Sequence, residues 1–316
     1  MKYFFTTLLH LELIEFNQDS LEIMPGIKIT NDSKKLDIIL NRDIKDLIGA
    51  IEYNHISNSK AILFFEYEDE DIKEHFSEFK HLELLSLILH WIDDFLKNTW
   101  VLKDNAIIID NAYLIDNPEI ENAECSSLRL NYINTLSEGG IETTKISEKE
   151  IKKIKIIHEK IESYLHKKDS SSLEFSMAKN YSRIGRFSFF IQYARESKNL
   201  GHKILNYCSA FETLFSTDNT EISHKIGERT AFFLAEKYDK TETYSLIKKA
   251  YIVRSKLTHG ANISNKLIDE LPEISKKIDS ILRVIMNKII FDKNMILLFE
   301  SNNENLNNYF NKLLFE

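Results

Sequence analysis

The chain has 316 residues, of which 43% are hydrophobic and 28% charged, and its formal net charge is −8 at pH 7. This composition is too apolar for a disordered protein and is typical of a globular one. Only 3 prolines and 8 glycines are present, which argues against collagen-like sequence, Pro-rich linkers and an all-β fold with many tight turns. We therefore expect long helices with short connections.

The first 70 residues predict strands. The segments KYFFTTLLHLELIEF and ILFFEYED are dense in Phe, Tyr, Ile and Leu, and PGIKIT follows a turn signal at Pro25-Gly26. The N-terminal segment does not fit a signal peptide, because His10, Glu12 and Glu15 interrupt its apolar stretch and it offers no small-residue cleavage site.

An amphipathic helix is predicted next, in the stretch that begins EDEDIKEHF and ends at Trp100. Its apolar residues recur at steps of three and four, namely Ile72, Phe76, Phe79, Leu82, Leu85, Leu89, Ile92 and Leu96. Trp91 and Trp100 are expected in the core of the first domain. The segment VLKDNAIIIDNAYLID then predicts one or two short strands.

The domain boundary is predicted between residues 140 and 148. Residues 116–147 contain Pro118 and the pair Gly139-Gly140 and lack strong periodicity. We therefore expect an acidic α+β domain at residues 1–147 and a helical domain at residues 148–316.

Charge separates the two halves. Residues 1–147 hold 13 basic and 27 acidic residues, a net charge of −14, whereas residues 148–316 hold 28 and 22, a net charge of +6. A basic second half suits a polyanionic partner. The alternative is that the charge of solvated helix faces simply varies along the chain.

The second half is helical by its periodicity. Ser147 and Glu150 have the spacing of a capping box, with Ser at the N-cap and Glu three residues later. The helix EIKKIKIIHEKIESYLHK should follow, and further helices are predicted at residues 174–198, 200–216, 221–237, 241–258, 267–290 and 303–315.

Common metal and nucleophile motifs are missing from the sequence. His75, His81 and His90 are not spaced to place two ligands on one helix face, and no Gly-rich phosphate loop or Gly-x-Ser-x-Gly elbow occurs. The 2 cysteines, Cys125 and Cys208, are too few for a disulfide framework or a cysteine-based zinc site, and we interpret them as small residues rather than nucleophiles. We expect no metal and no cofactor.

One remaining constellation carries chemistry, in the segment YIVRSKLTHGANI. Arg254 and His259 would diverge by about 140° on a continuous helix, but Gly260 suits the C′ position of a helix that ends near Thr258. An imidazole can transfer protons near neutral pH, and a guanidinium can hold a phosphate oxygen as charge develops.

The spacing alone has little weight, because 8 Arg and 10 His make such a pair expected by chance about once. A second pair, Arg195 and His202, also occurs, but it straddles a predicted helix break at residues 199–201 and is interpreted as structural or incidental.

Three phrases occur in order in the surrounding sequence, "A-x-E-x-L-F", "E-I-x-x-K-I-x-E-R" and "Y-x-x-R-S-K-x-x-H-G". They are matched by Ala210, Glu212, Leu214 and Phe215; by Glu221, Ile222, Lys225, Ile226, Glu228 and Arg229; and by Tyr251, Arg254, Ser255, Lys256, His259 and Gly260. With these phrases, the sequence over roughly residues 175–290 resembles the Apea-like branch of the HEPN superfamily.

The resemblance implies a small helical bundle and a metal-independent endoribonuclease that works as a homodimer, with two Arg–His pairs facing each other. In that scheme His259 is the general acid/base and Arg254 holds the scissile phosphate. Ser255 and Lys256 are supporting residues. Glu212 either holds Arg254 in place or is a helix-surface residue in a solvent-exposed pair.

Other residues have two interpretations each. Lys248, Lys249 and Lys256 either follow RNA phosphates or are solvated helix residues. A further three residues could stack on bases, but their helical spacing favours core packing; they are Tyr207, Phe211 and Phe215.

The leading hypothesis is a cytoplasmic RNA-cleaving effector of phage defence or of a toxin–antitoxin system, with RNA, a second copy, and an antitoxin or phage-derived trigger as partners and no membrane. One alternative is a catalytically silent HEPN module that binds RNA, a nucleotide or another subunit. Another is an adaptor whose acidic first domain docks a basic partner. The first domain would regulate cleavage or serve as a rigid scaffold.

Overall fold

The computed structural model describes residues 2–32, 34, 42–67, 80–116, 123–165, 182–218 and 220–315. An antiparallel sheet near the N-terminus is followed by helices, so the predicted α+β class is confirmed. Two compact units divide the chain. The first comprises Met1–Ile133 and Glu142–Ile156, and the second comprises Asn134–Ile141 and Ile157–Glu316. The predicted domain boundary at residue 147 stays a prediction, because it concerns which segments of the chain can fold on their own.

The first unit is built on a six-stranded antiparallel sheet in the order β3-β4-β5-β1-β6-β7. The strands of the unit are β1 (Lys2–Leu9), β2 (Leu11–Ile14), β3 (Leu21–Met24), β4 (Ile27–Thr30), β5 (Ile62–Tyr67), β6 (Ile108–Asp116), β7 (Glu124–Leu128) and β8 (Thr144–Ser147). Pro25-Gly26 makes the predicted turn between β3 and β4, with Gly26 at φ 76°. β2 and β8 pair with each other in parallel, outside this sheet.

Alternation along the central strand β1 buries both faces of the sheet. Phe4 and Leu8 point to one face, which α3 (His81–Leu102) covers with the helix side that carries Leu85 and Ile92. Tyr3, Phe5 and Phe64 point to the other face and pack with Ile44 of α1 (Arg42–Ile48) and Ile56 of α2 (Ala50–Ser57). A sheet buried on both faces explains why these strands are almost continuously apolar.

Three expectations for the first unit need correction. Helices α1 and α2 lie within the segment that was predicted to form strands. Trp100 is buried as predicted, but Trp91 is 44% exposed and Leu82 is 52% exposed, because both lie off the helix stripe that faces the sheet. Ile72, Phe76 and Phe79 lie outside the described residues.

The second unit is helical. Its helices follow α4 (Glu148–Leu165), in which the division between the two units falls. They are α5 (Arg183–Glu196), α6 (Leu200–Phe215), α7 (Ile222–Phe233), α8 (Lys240–Thr258), α9 (Asn265–Ile290), α10 (Lys293–Phe299) and α11 (Asn303–Phe315). The sequence predicted all of these except α10, although α7 ends four residues early, and residues 174–181 lie outside the described part.

Buried aromatic rings form the centre of this helical unit. Phe215 packs edge-on against Phe233 and Phe299, with ring centroids 5.6 and 6.0 Å apart, and also contacts Phe310. Tyr207, Phe211 and Phe215 are fully buried, which confirms their interpretation as core residues. This core joins α6 to α7, α10 and α11, and α6 contributes to the site described below.

Residues 134–141 are anchored to the helical unit. The buried Thr135 donates its hydroxyl to the carbonyl of Arg195 at 2.8 Å, and the carbonyl of Ser137 accepts a hydrogen bond from Ser275 of α9. Within the described part of the chain, no helix is long and apolar enough to cross a bilayer.

Candidate functional site

A cleft of about 420 Å³ lies where the start of α7 meets α8. Its walls are formed by Ile222, Ser223, Lys248, Tyr251, Ile252, Arg254, Ser255 and Lys256. Four of these eight were named from the sequence as site residues. Six of the eight residues come from α8, so this helix forms most of the wall.

Arg254 is held by a carboxylate from the neighbouring helix α6. Its Nη2 lies 3.2 Å from Oε1 of Glu212 and 3.4 Å from Oε2. The side chains of Arg254 and Glu212 are 34% and 24% exposed, so the pair is partly shielded from water and retains contact with it. Of the two interpretations of Glu212, the structure supports the one in which it positions Arg254.

Tyr251 completes this arrangement from the preceding turn of α8. Its hydroxyl donates to Oε1 of Glu212 at 3.1 Å. Burial raises the pKa of Tyr251 well above its usual range, and the charge of Glu212 raises it further. The phenol therefore stays protonated and donates to Glu212, which forms its ion pair with Arg254.

The cleft is electropositive. Lys248 donates to the hydroxyl of Ser223 at 3.1 Å, and Lys256 donates to the carbonyl of Asn262 at 2.8 Å. None of the described residues that line the cleft is acidic. Two lysines, one arginine and two serine hydroxyls form a surface that suits a phosphate group.

His259 lies at the end of α8, as the predicted helix terminus required. It is the C-cap residue, and Gly260 follows at φ 65°. The amide of Ala261 donates to the carbonyl of Lys256 at 2.8 Å, and the amide of Gly260 donates to the carbonyl of Leu257 at 3.2 Å. These two bonds are the hydrogen-bond pattern of a Schellman motif. The imidazole is exposed and has no hydrogen bond or ion pair to any described residue.

The structure thus brings most of the predicted residues together. Arg254, Ser255, Lys256 and Lys248 line the cleft, and Glu212 contacts Arg254. His259 is not part of the cleft wall, but it is one turn beyond Ser255 on the same helix face, and its amide donates to the Ser255 carbonyl at 3.0 Å.

Lys249 lies apart from this group. It forms an ion pair with Glu270 of α9 at 3.0 Å and does not line the cleft. Its charge is therefore already balanced within the protein.

The second Arg–His pair, Arg195 and His202, has the environment of structural residues. Arg195 is buried and donates to the side chain of Gln192 at 3.1 Å, whereas His202 is exposed on α6. The helix break between them is confirmed, and Asn199 caps α6 by accepting the amide of His202.

The cysteines lack the environment of a nucleophile. Burial raises the pKa of the Cys125 and Cys208 thiols, and this disfavours the reactive thiolate. No group of three or more His, Cys, Asp or Glu side chains that could hold a metal ion occurs among the described residues.

Four residues of the cleft were not selected from the sequence as site residues, namely Ile222, Ser223, Tyr251 and Ile252. Tyr251 precedes Arg254 by three residues and so shares its helix face, a spacing that could have identified it as a partner. Ser223 could not have been found in this way, because its place in the cleft depends on the packing of α7 against α8.

No family model, curated protein or solved structure matches the chain.

Proposed function

We propose that this chain is a metal-independent endoribonuclease of the HEPN type. The observation that carries the proposal is Arg254, which Glu212 holds at the wall of a cleft whose other polar lining includes two lysines and two serine hydroxyls. An arginine fixed by a carboxylate in an electropositive cleft suits the binding of a phosphodiester and the stabilisation of charge on its oxygens. The resemblance of the surrounding sequence to the Apea-like branch supports the same function.

The proposed reaction needs no group beyond the chain's own side chains. His259 takes the proton of a ribose 2′-hydroxyl as that oxygen attacks the adjacent phosphorus, while Arg254 binds a non-bridging oxygen. The bond from phosphorus to the 5′-oxygen breaks, and the protonated imidazole of His259 gives the proton to that oxygen, which yields a 2′,3′-cyclic phosphate and a 5′-hydroxyl. Because DNA lacks the 2′-hydroxyl, it is not cleaved.

The site is completed by a second copy of the chain. One protomer offers a cleft with Arg254 and an exposed imidazole at the end of the same helix but outside the cleft wall. Two copies joined through their helical units would bring two Arg–His pairs together. Light scattering should show a dimer at the concentrations at which the protein is active, whereas a fully active monomer would refute this part of the proposal.

In the cell, the proposed role is that of a cytoplasmic effector in phage defence or a toxin–antitoxin system. Its RNase activity would then be restrained by an antitoxin or released by a phage-derived trigger. The composition of the two halves is compatible with restraint by the first unit, whose charge is opposite to that of the helical half.

The test is cleavage of total RNA in the presence of EDTA by the purified full chain. Arg254→Ala and His259→Ala should each abolish cleavage without unfolding the protein, because both side chains are partly or fully exposed and leave no core cavity. His202→Ala and Lys249→Ala are the controls. The first removes an imidazole outside the cleft, as a match for His259→Ala, and the second removes a positive charge outside the cleft, as a match for Arg254→Ala. Full activity in either Arg254→Ala or His259→Ala would overturn the proposal in favour of a silent binding module.

A further inference from the structure

A second groove, of about 500 Å³, lies between α5 and α6. α5 contributes Arg183, Arg186 and Phe190 to it, and α6 contributes Ser209, Glu212 and Thr213. Its volume lies within the range of small-ligand sites, which is roughly 300–1,000 Å³. None of these residues was expected from the sequence to contact a ligand, and Glu212 was expected only to hold Arg254.

One ion pair connects this groove to the cleft. Glu212 lines the α5–α6 groove, whereas its partner Arg254, 3.2 Å away, lines the cleft. The cleft and the α5–α6 groove are therefore neighbours that share this ion pair.

The groove is lined by two carboxylates and two arginines. Glu212 pairs with Arg254, and Asp218 pairs with Lys225 at 2.8 Å. Arg183 is fixed by donating to the carbonyl of Thr213 and to Oδ1 of Asn303, both at 2.8 Å. Burial lowers the pKa of Arg183, the nearby charge of Arg186 lowers it further, and the charge of Glu300 raises it. A guanidinium on this wall of the groove suits the oxygens of a phosphate.

The groove also offers a ring to a base. Phe190 is half-buried and follows Arg186 by one turn of α5, so the ring and the guanidinium lie on the same helix face. Stacking on aromatic rings and arginine planes, combined with phosphate contacts, is how proteins bind single-stranded nucleic acid.

We propose that the α5–α6 groove binds the single-stranded RNA segment next to the cleaved phosphate, with a base stacked on Phe190 and a phosphate on Arg186. The assignment of the bound strand as substrate rests on the proposed ribonuclease function. Binding itself needs no 2′-hydroxyl, so DNA of the same sequence should occupy the groove without being cleaved.

The test measures the fluorescence anisotropy of a short fluorescein-labelled single-stranded RNA titrated with the full chain carrying His259→Ala, which prevents cleavage. Adding Arg186→Ala or Phe190→Ala should weaken binding about tenfold. Phe190→Leu keeps the apolar contact and loses the aromatic face, so it should also weaken binding and guards against misfolding of the alanine variant. Tyr193→Ala and Lys198→Ala are the matched controls, because both are exposed near the same helix but do not line the groove.

Two results would overturn this inference. One is unchanged RNA affinity in Arg186→Ala, Phe190→Ala and Phe190→Leu. The other is dissociation of a dimer by these changes with RNA affinity preserved, which would make the groove a contact between copies. Failure of the ribonuclease proposal would give a different result. RNA binding would still depend on Arg186 and Phe190, but the chain that retains His259 would not cleave RNA.

Discussion

At the scale of single residues, Glu212 links the chemistry of Arg254 to the core of the helical unit. It comes from α6, which is anchored by the fully buried Tyr207 and Phe211, and it receives the Tyr251 hydroxyl as well as the Arg254 guanidinium. A guanidinium held in this way loses little rotational freedom when it binds a phosphate oxygen. In the proposed ribonuclease Glu212 is a positioning residue, and its effect should appear in the rate more than in RNA affinity.

Glu212→Gln tests this role. The amide keeps the shape of the side chain and can still accept the Tyr251 hydroxyl, but it loses the charge that orients Arg254. We expect kcat to fall about tenfold, equivalent to about 1.4 kcal/mol, with KM changed less. Glu270→Gln, which breaks the ion pair with Lys249 outside the cleft, is the control. Equal activity of the two variants would show that Glu212 has no positioning role.

Asp218 gives a prediction for how the stability of the protein changes at acidic pH. Hydrogen bonds from Lys225 and Thr220 hold the pKa of its carboxyl well below the usual value. A lowered folded-state pKa stabilises the protein above the unfolded pKa of about 3.9, and this contribution is lost as the pH falls below it. Wild type should therefore have a higher Tm than Asp218→Asn at pH 6, and the difference should shrink at pH 3. A difference that is constant across this range would contradict the assignment.

At the scale of elements, the C-terminal end of α8 determines where His259 lies. The Schellman motif needs a left-handed residue at Gly260, and a Cβ there would meet no atom within 4 Å. The obstacle to any other residue is therefore the backbone conformation and not the surrounding space.

Gly260→Ala should accordingly destabilise the protein by about 1 kcal/mol and lower cleavage by displacing His259. Gly140→Ala is the matched control, because its Cβ would also meet nothing within 4 Å and its φ lies outside the left-handed region. Thermal melting and the cleavage assay measure the two effects. If both variants behave like wild type, the helix end does not position His259.

Sequence periodicity predicted the long helices well, and it was least informative where pairing is non-local. α9 carries a continuous apolar stripe and was found within two residues at its start. The parallel pairing of β2 with β8 joins segments about 130 residues apart, and no local pattern encodes such a partner. Helices α1, α2 and α10 have eight residues or fewer, which is too short for a periodic signal.

The candidate site was predictable to the extent that it lies on one helix. Arg254, Ser255 and Lys256 are contiguous, and Glu212 was indicated by the family resemblance. The exclusion of Lys249 was not predictable, because it depends on Glu270 of α9 lying within ion-pair distance. The same applies to Ser223, which reaches the cleft through helix packing.

At the scale of the whole molecule, the helical unit includes a segment that precedes the predicted boundary. Thr135 and Ser137 make buried hydrogen bonds to Arg195 and Ser275, and Glu138 pairs with Lys276 at 3.0 Å. A fragment of residues 148–316 lacks these contacts. It leaves buried polar groups without their partners, at a cost of about 1–3 kcal/mol each.

We therefore expect a fragment of residues 134–316 to have a higher Tm than one of residues 148–316. Circular dichroism melts of the two purified fragments measure the difference. Equal Tm values would mean that residues 134–141 do not contribute to the stability of the helical unit. Comparing the RNase activity of the longer fragment with that of the full chain then tests regulation by the first unit, since higher activity in the fragment indicates restraint.

The central claim is that Arg254 and His259 cleave RNA through the ribose 2′-hydroxyl. The most direct test is to incubate the full chain with a defined oligoribonucleotide in EDTA and to determine the product ends by mass spectrometry. The account predicts a 2′,3′-cyclic phosphate and a 5′-hydroxyl, with no cleavage when a single 2′-deoxynucleotide replaces the one before the cut. Products with a 5′-phosphate, or activity that EDTA removes and magnesium restores, would contradict it.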